Sequence, residues 1–115
     1  MPARLRPADP VAVAAALDGD RSPADKRLLT KHFLATLADR APGASVEVRV
    51  PPYAAVQVIP GVRHTRGSPP AVVELDADTW IALATGDLTW AEAEGSGRVL
   101  ASGERADLSP YLPLR

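Results

Sequence analysis

The feature that most constrains this chain is the strict alternation of Ser45-Val46-Glu47-Val48-Arg49-Val50, closed by Pro51-Pro52. In extended backbone successive side chains point to opposite faces, so Val46, Val48 and Val50 share one face and Glu47 and Arg49 the other. Such a strand needs an apolar cover on one side and water on the other. The cover is encoded just before it. Ser22-Pro23-Ala24-Asp25 combines an N-cap, a proline at the first helical position and a carboxylate near the positive helix end. Leu29, Phe33 and Leu37 then recur at spacing four with Leu34 flanking, while Asp25, Lys26, Lys31 and Asp39 belong to a solvated face. Pro42-Gly43 ends this helix. An amphipathic helix running straight into a half-buried strand predicts a helix layer on a sheet.

The rest of the chain fits that layer. Residues 1–8 carry two prolines and read as a flexible N-terminal arm, leaving 9–115 as one domain. Asp9-Pro10 opens a short helix over Val11–Leu17 that stops at Gly19. Tyr53 to Ile59 forms a second strand with Ala54, Val56 and Val58 on one face, hairpin-paired to the first through a connection that cannot be the tight Asn-Gly type. Residues 60–70 are a polar loop with room for a short edge strand at Val62–Thr65, and Ala71 to Asp76 is a third strand with Val73 and Leu75 inward. Asp76 caps a helix ended by Gly86, and Thr89-Trp90-Ala91-Glu92 is a capping box opening another, ended by Gly95. Gly97–Ser102 reads as a last strand, and Asp107 or Ser109 caps a final turn bearing Leu108, Tyr111 and Leu112. Helices first, clustered strands next and helices before the last strand indicate a two-layer α+β fold.

Composition narrows the function more by exclusion than by assignment. Of 115 residues 46% are hydrophobic, enough for a core and against an all-round disordered chain. Thirteen Lys and Arg against fourteen Asp and Glu give a net charge of -1, which argues against a general nucleic-acid binder. With no cysteine there is no disulfide, thiolate nucleophile or cysteine metal site, which fits a reducing cytoplasm. No run approaches the roughly twenty apolar residues of a membrane span, and the N-terminus lacks the apolar core of a signal peptide.

Two stretches resemble a known family. Asp76-Ala77-Asp78-Thr79-Trp80-Ile81-Ala82-Leu83-Ala84-Thr85-Gly86-Asp87-Leu88 is similar to the segment of sterol carrier protein 2 domains in which a strand ends in acidic caps and a short helix leads to a glycine turn. Ala91-Glu92-Ala93-Glu94-Gly95-Ser96-Gly97-Arg98-Val99-Leu100-Ala101-Ser102-Gly103 resembles the helix, small-residue turn and strand that follow. His64-Thr65-Arg66-Gly67-Ser68-Pro69-Pro70 before Val72-Val73-Glu74 is similar to small actinobacterial single-domain relatives. The resemblance implies a mostly antiparallel sheet of four to five strands, helices packed on one face and an apolar cavity between the layers. It implies a lipid carrier for sterol, fatty acid or acyl-CoA, or an accessory domain beside enzymes such as thiol-dependent isomerases. Carried onto this sequence, the cavity candidates are Phe33, Leu37, Val48, Val56, Trp80, Leu83 and Trp90, with Leu100, Leu108 and Leu112 closing the far side.

Each of these apolar residues is also what a two-layer core requires. Among polar groups, Arg63, His64 and Arg66 form the densest constellation: they suit an anionic head group, or they pair with Glu74 or Glu47 across the sheet edge. His64 has the pKa range of a general base but no nucleophile or orienting carboxylate in the sequence pattern. His32 beside Phe33 reads as a boundary residue, and two distant histidines make no metal site. Asp76, Asp78, Glu92 and Glu94 are explained by helix starts. No catalytic residue, metal or cofactor is expected. The leading expectation is a small lipid ligand held by reversible partition; the alternatives are a protein-interaction or self-association module, including a homodimer, and an enzyme or enzyme-accessory domain.

Overall fold

The computed structural model describes residues 5–61, 71–103 and 106–115. Two helices lead, α1 (Pro10–Asp18) and α2 (Pro23–Arg40). Their starts follow from local chemistry: Asp9 Oδ1 accepts from the Val11 N–H and Ser22 Oγ from the Asp25 N–H, each ahead of a proline that has no N–H to lose. Strands β1 (Val46–Val50) and β2 (Ala54–Val58) form an antiparallel hairpin in which the Val50 carbonyl accepts from the Tyr53 N–H at 2.9 Å. The Pro51–Pro52 bond in the turn between them is cis.

Strand β3 (Ala71–Leu75) then pairs parallel with β1, followed by helices α3 (Ala77–Thr85) and α4 (Trp90–Gly95), and β4 (Val99–Ser102) pairs antiparallel with β3. A short 3-10 turn at Ser109–Tyr111 precedes the C-terminus. Among the described residues the sheet order is β2-β1-β3-β4, with the one parallel pair, β1 and β3, between two antiparallel ones. The α+β, mostly antiparallel sheet with helices on one face expected from the sequence is therefore the fold observed. The segment proposed for an edge strand, Val62–Thr65, lies outside the described residues.

The register explains why one face is dry. Val46, Val48, Val50, Val58, Ala71, Val73, Leu75 and Val99 all point to the helix side and are buried. The opposite face carries Glu47, Arg49, Ala55, Gln57, Glu74 and Leu100, each exposed or half-buried. Leu29, Phe33, Leu34 and Leu37 of α2 cover the dry face and join those strand residues in one core. Trp80 of α3 is fully buried, and its Nε1–H donates to the Thr30 carbonyl of α2 at 3.3 Å. Thr30 Oγ1, also buried, has no hydrogen-bond partner among the described residues. An unpaired buried hydroxyl opposes folding, so Thr30→Val is expected to raise unfolding free energy by about 1 kcal/mol in urea titrations. An unchanged or lower midpoint would contradict that reading of the site.

Candidate functional site

Two helix starts and one stop shape the clearest cleft in the C-terminal half. Asp76 Oδ1 accepts from the Thr79 N–H at 2.7 Å, fixing the start of α3, and Gly86 ends the helix at φ 87°, a left-handed conformation that a glycine adopts freely. Three residues later Thr89 and Glu92 close a reciprocal capping box: Thr89 Oγ1 accepts from the Glu92 N–H at 3.1 Å, while Glu92 Oε1 accepts from the Thr89 N–H at 3.1 Å. Donation to the Glu92 carboxyl by the Thr89 N–H and by the Thr89 hydroxyl, the latter at 2.8 Å, holds it below the usual carboxylate range. This compact link brings Trp90, the first residue of α4, to the same cleft as Leu83 of α3.

The C-terminal segment completes the site. Leu108 is fully buried, Leu114 is nearly so, and the Leu114 N–H donates to the Ala84 carbonyl of α3 at 2.9 Å. Between those two anchors Ser109, Leu112 and Pro113 face Leu83, Leu88 and Trp90 across a cleft of about 370 Å³. Its walls are mainly apolar, with Thr89 and Ser109 as polar members and Ala91 at the border. A half-enclosed apolar cleft with a few hydroxyls is a setting for hydrocarbon, not for proton transfer.

The residues named from sequence fall in different parts of the fold. Leu83, Trp90 and Leu112 come together in this cleft. Phe33, Leu37, Val48, Trp80 and Leu108 sit in the interlayer core with 2% accessibility or less, packed among the other core side chains. Val56, on the same face of β2, is half-buried against that core. Leu100 departs from its expected place: pairing opposite Glu74 puts it on the outer sheet face, 66% exposed, where it cannot close the far side of an interlayer cavity. The physical reason is alternation, since Val99 takes the inward position and Leu100 must face out. Arg63, His64 and Arg66 lie outside the described residues. Glu47, one partner considered for them, hydrogen-bonds Arg49 on its own strand.

His32 is a boundary residue with a defined task. Its Nδ1 accepts from the Ala8 N–H at 2.9 Å, its ring meets the Phe33 ring edge-on at 4.9 Å, and burial holds its pKa below the usual histidine value. Among the described residues no group of three or more His, Asp or Glu side chains is placed to hold a metal ion, and no helix is long and apolar enough to cross a membrane. Two features escaped the sequence reading, the Leu114 anchor and the His32 tie to the arm. Leu114 is the last apolar residue in the chain, a weak signal; nothing local marks His32 as an acceptor.

None of the curated proteins compared with the sequence matches it. A family model described as "bacterial SCP ortholog" matches residues 20–114, from just before the Ser22 cap to the Leu114 anchor. That span takes in β1 to β4, the cleft and all of the core except Val13 and Ala16 of α1, and the chain belongs to this bacterial sterol-carrier-protein-like family.

Proposed function

We propose that the domain binds the hydrocarbon portion of a small lipid, such as a sterol, fatty acid or acyl-CoA, in the cleft between α3, α4 and the C-terminal segment. The observation that carries this reading is the convergence of Leu83, Leu88, Trp90, Leu112 and Pro113 on one half-enclosed space. Its volume, about 370 Å³, is near the lower end of ligand pockets, which run from about 300 to 1,000 Å³. Family membership supports the same class of ligand.

The mechanism is reversible partition. Each methylene removed from water contributes about 0.8 kcal/mol, so about eight of them give roughly 6 kcal/mol before association costs. A contribution of that size holds the hydrocarbon reversibly, which suits a carrier. Thr89 and Ser109 at the wall offer hydroxyls to a polar end group. Organic-solvent extraction of the purified protein followed by mass spectrometry, with titration of a fluorescent fatty acid, tests the reading. Co-purified lipid or saturable binding is expected; absence of both would overturn it.

A further inference from the structure

We propose that a second cleft, between the N-terminal arm and α2, is a binding site for a phosphate monoester. On α2, positions 24, 27, 28, 31 and 32 follow the three-and-four spacing of one helix face. There Arg27, Lys31 and His32 line a cleft of about 340 Å³ with Ala24 and Leu28 as apolar floor, and Arg6 closes it from the arm. The Ala8 N–H bond to His32 Nδ1 ties the arm to α2, so Arg6, two residues before Ala8, lines the same cleft as Arg27 and Lys31.

The charge balance points to a dianion. Among the described residues, Arg6, Arg27 and Lys31 form no ion pair, whereas Lys26, on another side of the helix, pairs with Asp78 at 3.3 Å. Because His32 Nδ1 accepts a backbone N–H, the neutral ring carries its proton on Nε2 and retains that donor. Burial favours this neutral form. Two guanidiniums, an ammonium and an imidazole N–H supply the donors and positive charge that the roughly two negative charges of a phosphate monoester can use, and exceed what one carboxylate can use. Leu28 and Ala24 beside the charges suit the first carbons of an alkyl ester. The site shares no residue with the Trp90 cleft and stands independently of it.

Titration of the ¹⁵N-labelled full chain with n-hexyl phosphate and with hexanoate, at pH 8 and low salt, tests the assignment by NMR. The expected result is at least about tenfold tighter binding of hexyl phosphate, with amide shifts concentrated in Arg6–Ala8 and Arg27–His32, and displacement by inorganic phosphate. Arg27→Gln with Lys31→Gln is expected to weaken binding by about tenfold or more at unchanged Tm, since neither side chain bonds to the described fold. Arg6→Gln, which leaves α2 untouched, repeats the test if the double variant does not fold. Equal affinity for phosphate and carboxylate, unchanged binding in the variants, shifts centred on Trp90, or binding to phosphatidylglycerol vesicles without binding of the soluble ester would each overturn it.

Discussion

Trp80→Ala is expected to lower the unfolding free energy by about 3–5 kcal/mol, out of a total of about 5–15 kcal/mol for a domain of this kind. Trp80 is the largest fully buried side chain and has no accessible surface. It lies where α3 meets α2, and its indole N–H reaches the Thr30 carbonyl across that contact. Truncation loses the burial, leaves a cavity between two helices and removes the bond. Far-UV circular dichroism in urea reads the effect as a sharply lowered midpoint. Trp80→Phe keeps most of the ring and is expected to fall between alanine and the native residue. An alanine variant within about 1 kcal/mol of the native protein would mean that the α2–α3 contact is not the centre of the core.

Gly43→Ala is expected to cost at least about 2–3 kcal/mol although it adds a single methyl group. A Cβ at position 43 would sit 2.6 Å from the Pro60 nitrogen and closer still to the Ile59 carbonyl, and the Gly43 φ of 155° is unfavourable for an L side chain. The Ile59 backbone cannot give way easily. Its N–H donates to the Ala41 carbonyl at 2.6 Å, and its carbonyl accepts from the Ser45 N–H at 3.2 Å and from Ser45 Oγ at 2.8 Å. Ile59 itself is held at φ 73°, an uncommon conformation for a β-branched residue, by this same set of bonds. The junction joins the end of α2 to the start of β1 and the end of β2, so its disruption reaches helix and sheet together. Gly95→Ala is the control: nothing lies within 4 Å of the added Cβ, and in α4 alanine is the better helix former. Equal thermal midpoints for the two variants would contradict the close-approach explanation.

What the sequence disclosed followed the range of the chemistry. Caps act within three residues, so Asp9, Ser22, Asp76 and Thr89 are legible directly and all four cap helices. Alternation acts within a strand, so the inward valines of β1 are equally legible. Leu100 was harder because Val99 and Leu100 are adjacent and both apolar; the inward one is chosen by pairing with β3, a partner more than twenty residues earlier. The cleft depends on contacts longer still. Leu83 and Trp90 are explained from sequence as helix residues, but the wall opposite them exists only because Leu108 and Leu114 dock on the core. Side-chain fit between the layers has no local signature either: the same valines and leucines serve a filled interior or a hollow one, and their burial is set by the tertiary packing.

If hydrocarbon binds against Trp90, a bulky side chain at Ala91 blocks it. Ala91 is exposed on α4 and borders the cleft without belonging to the core. Replacing it with phenylalanine places a ring in the space proposed for the ligand. Titration of a fluorescent fatty acid into the native protein and Ala91→Phe, with Tm recorded for both, is the decisive comparison. Saturable binding to the native protein, weakened at least about tenfold in Ala91→Phe at equal Tm, is the predicted result. Equal saturable binding to both proteins, or none to either, would contradict it.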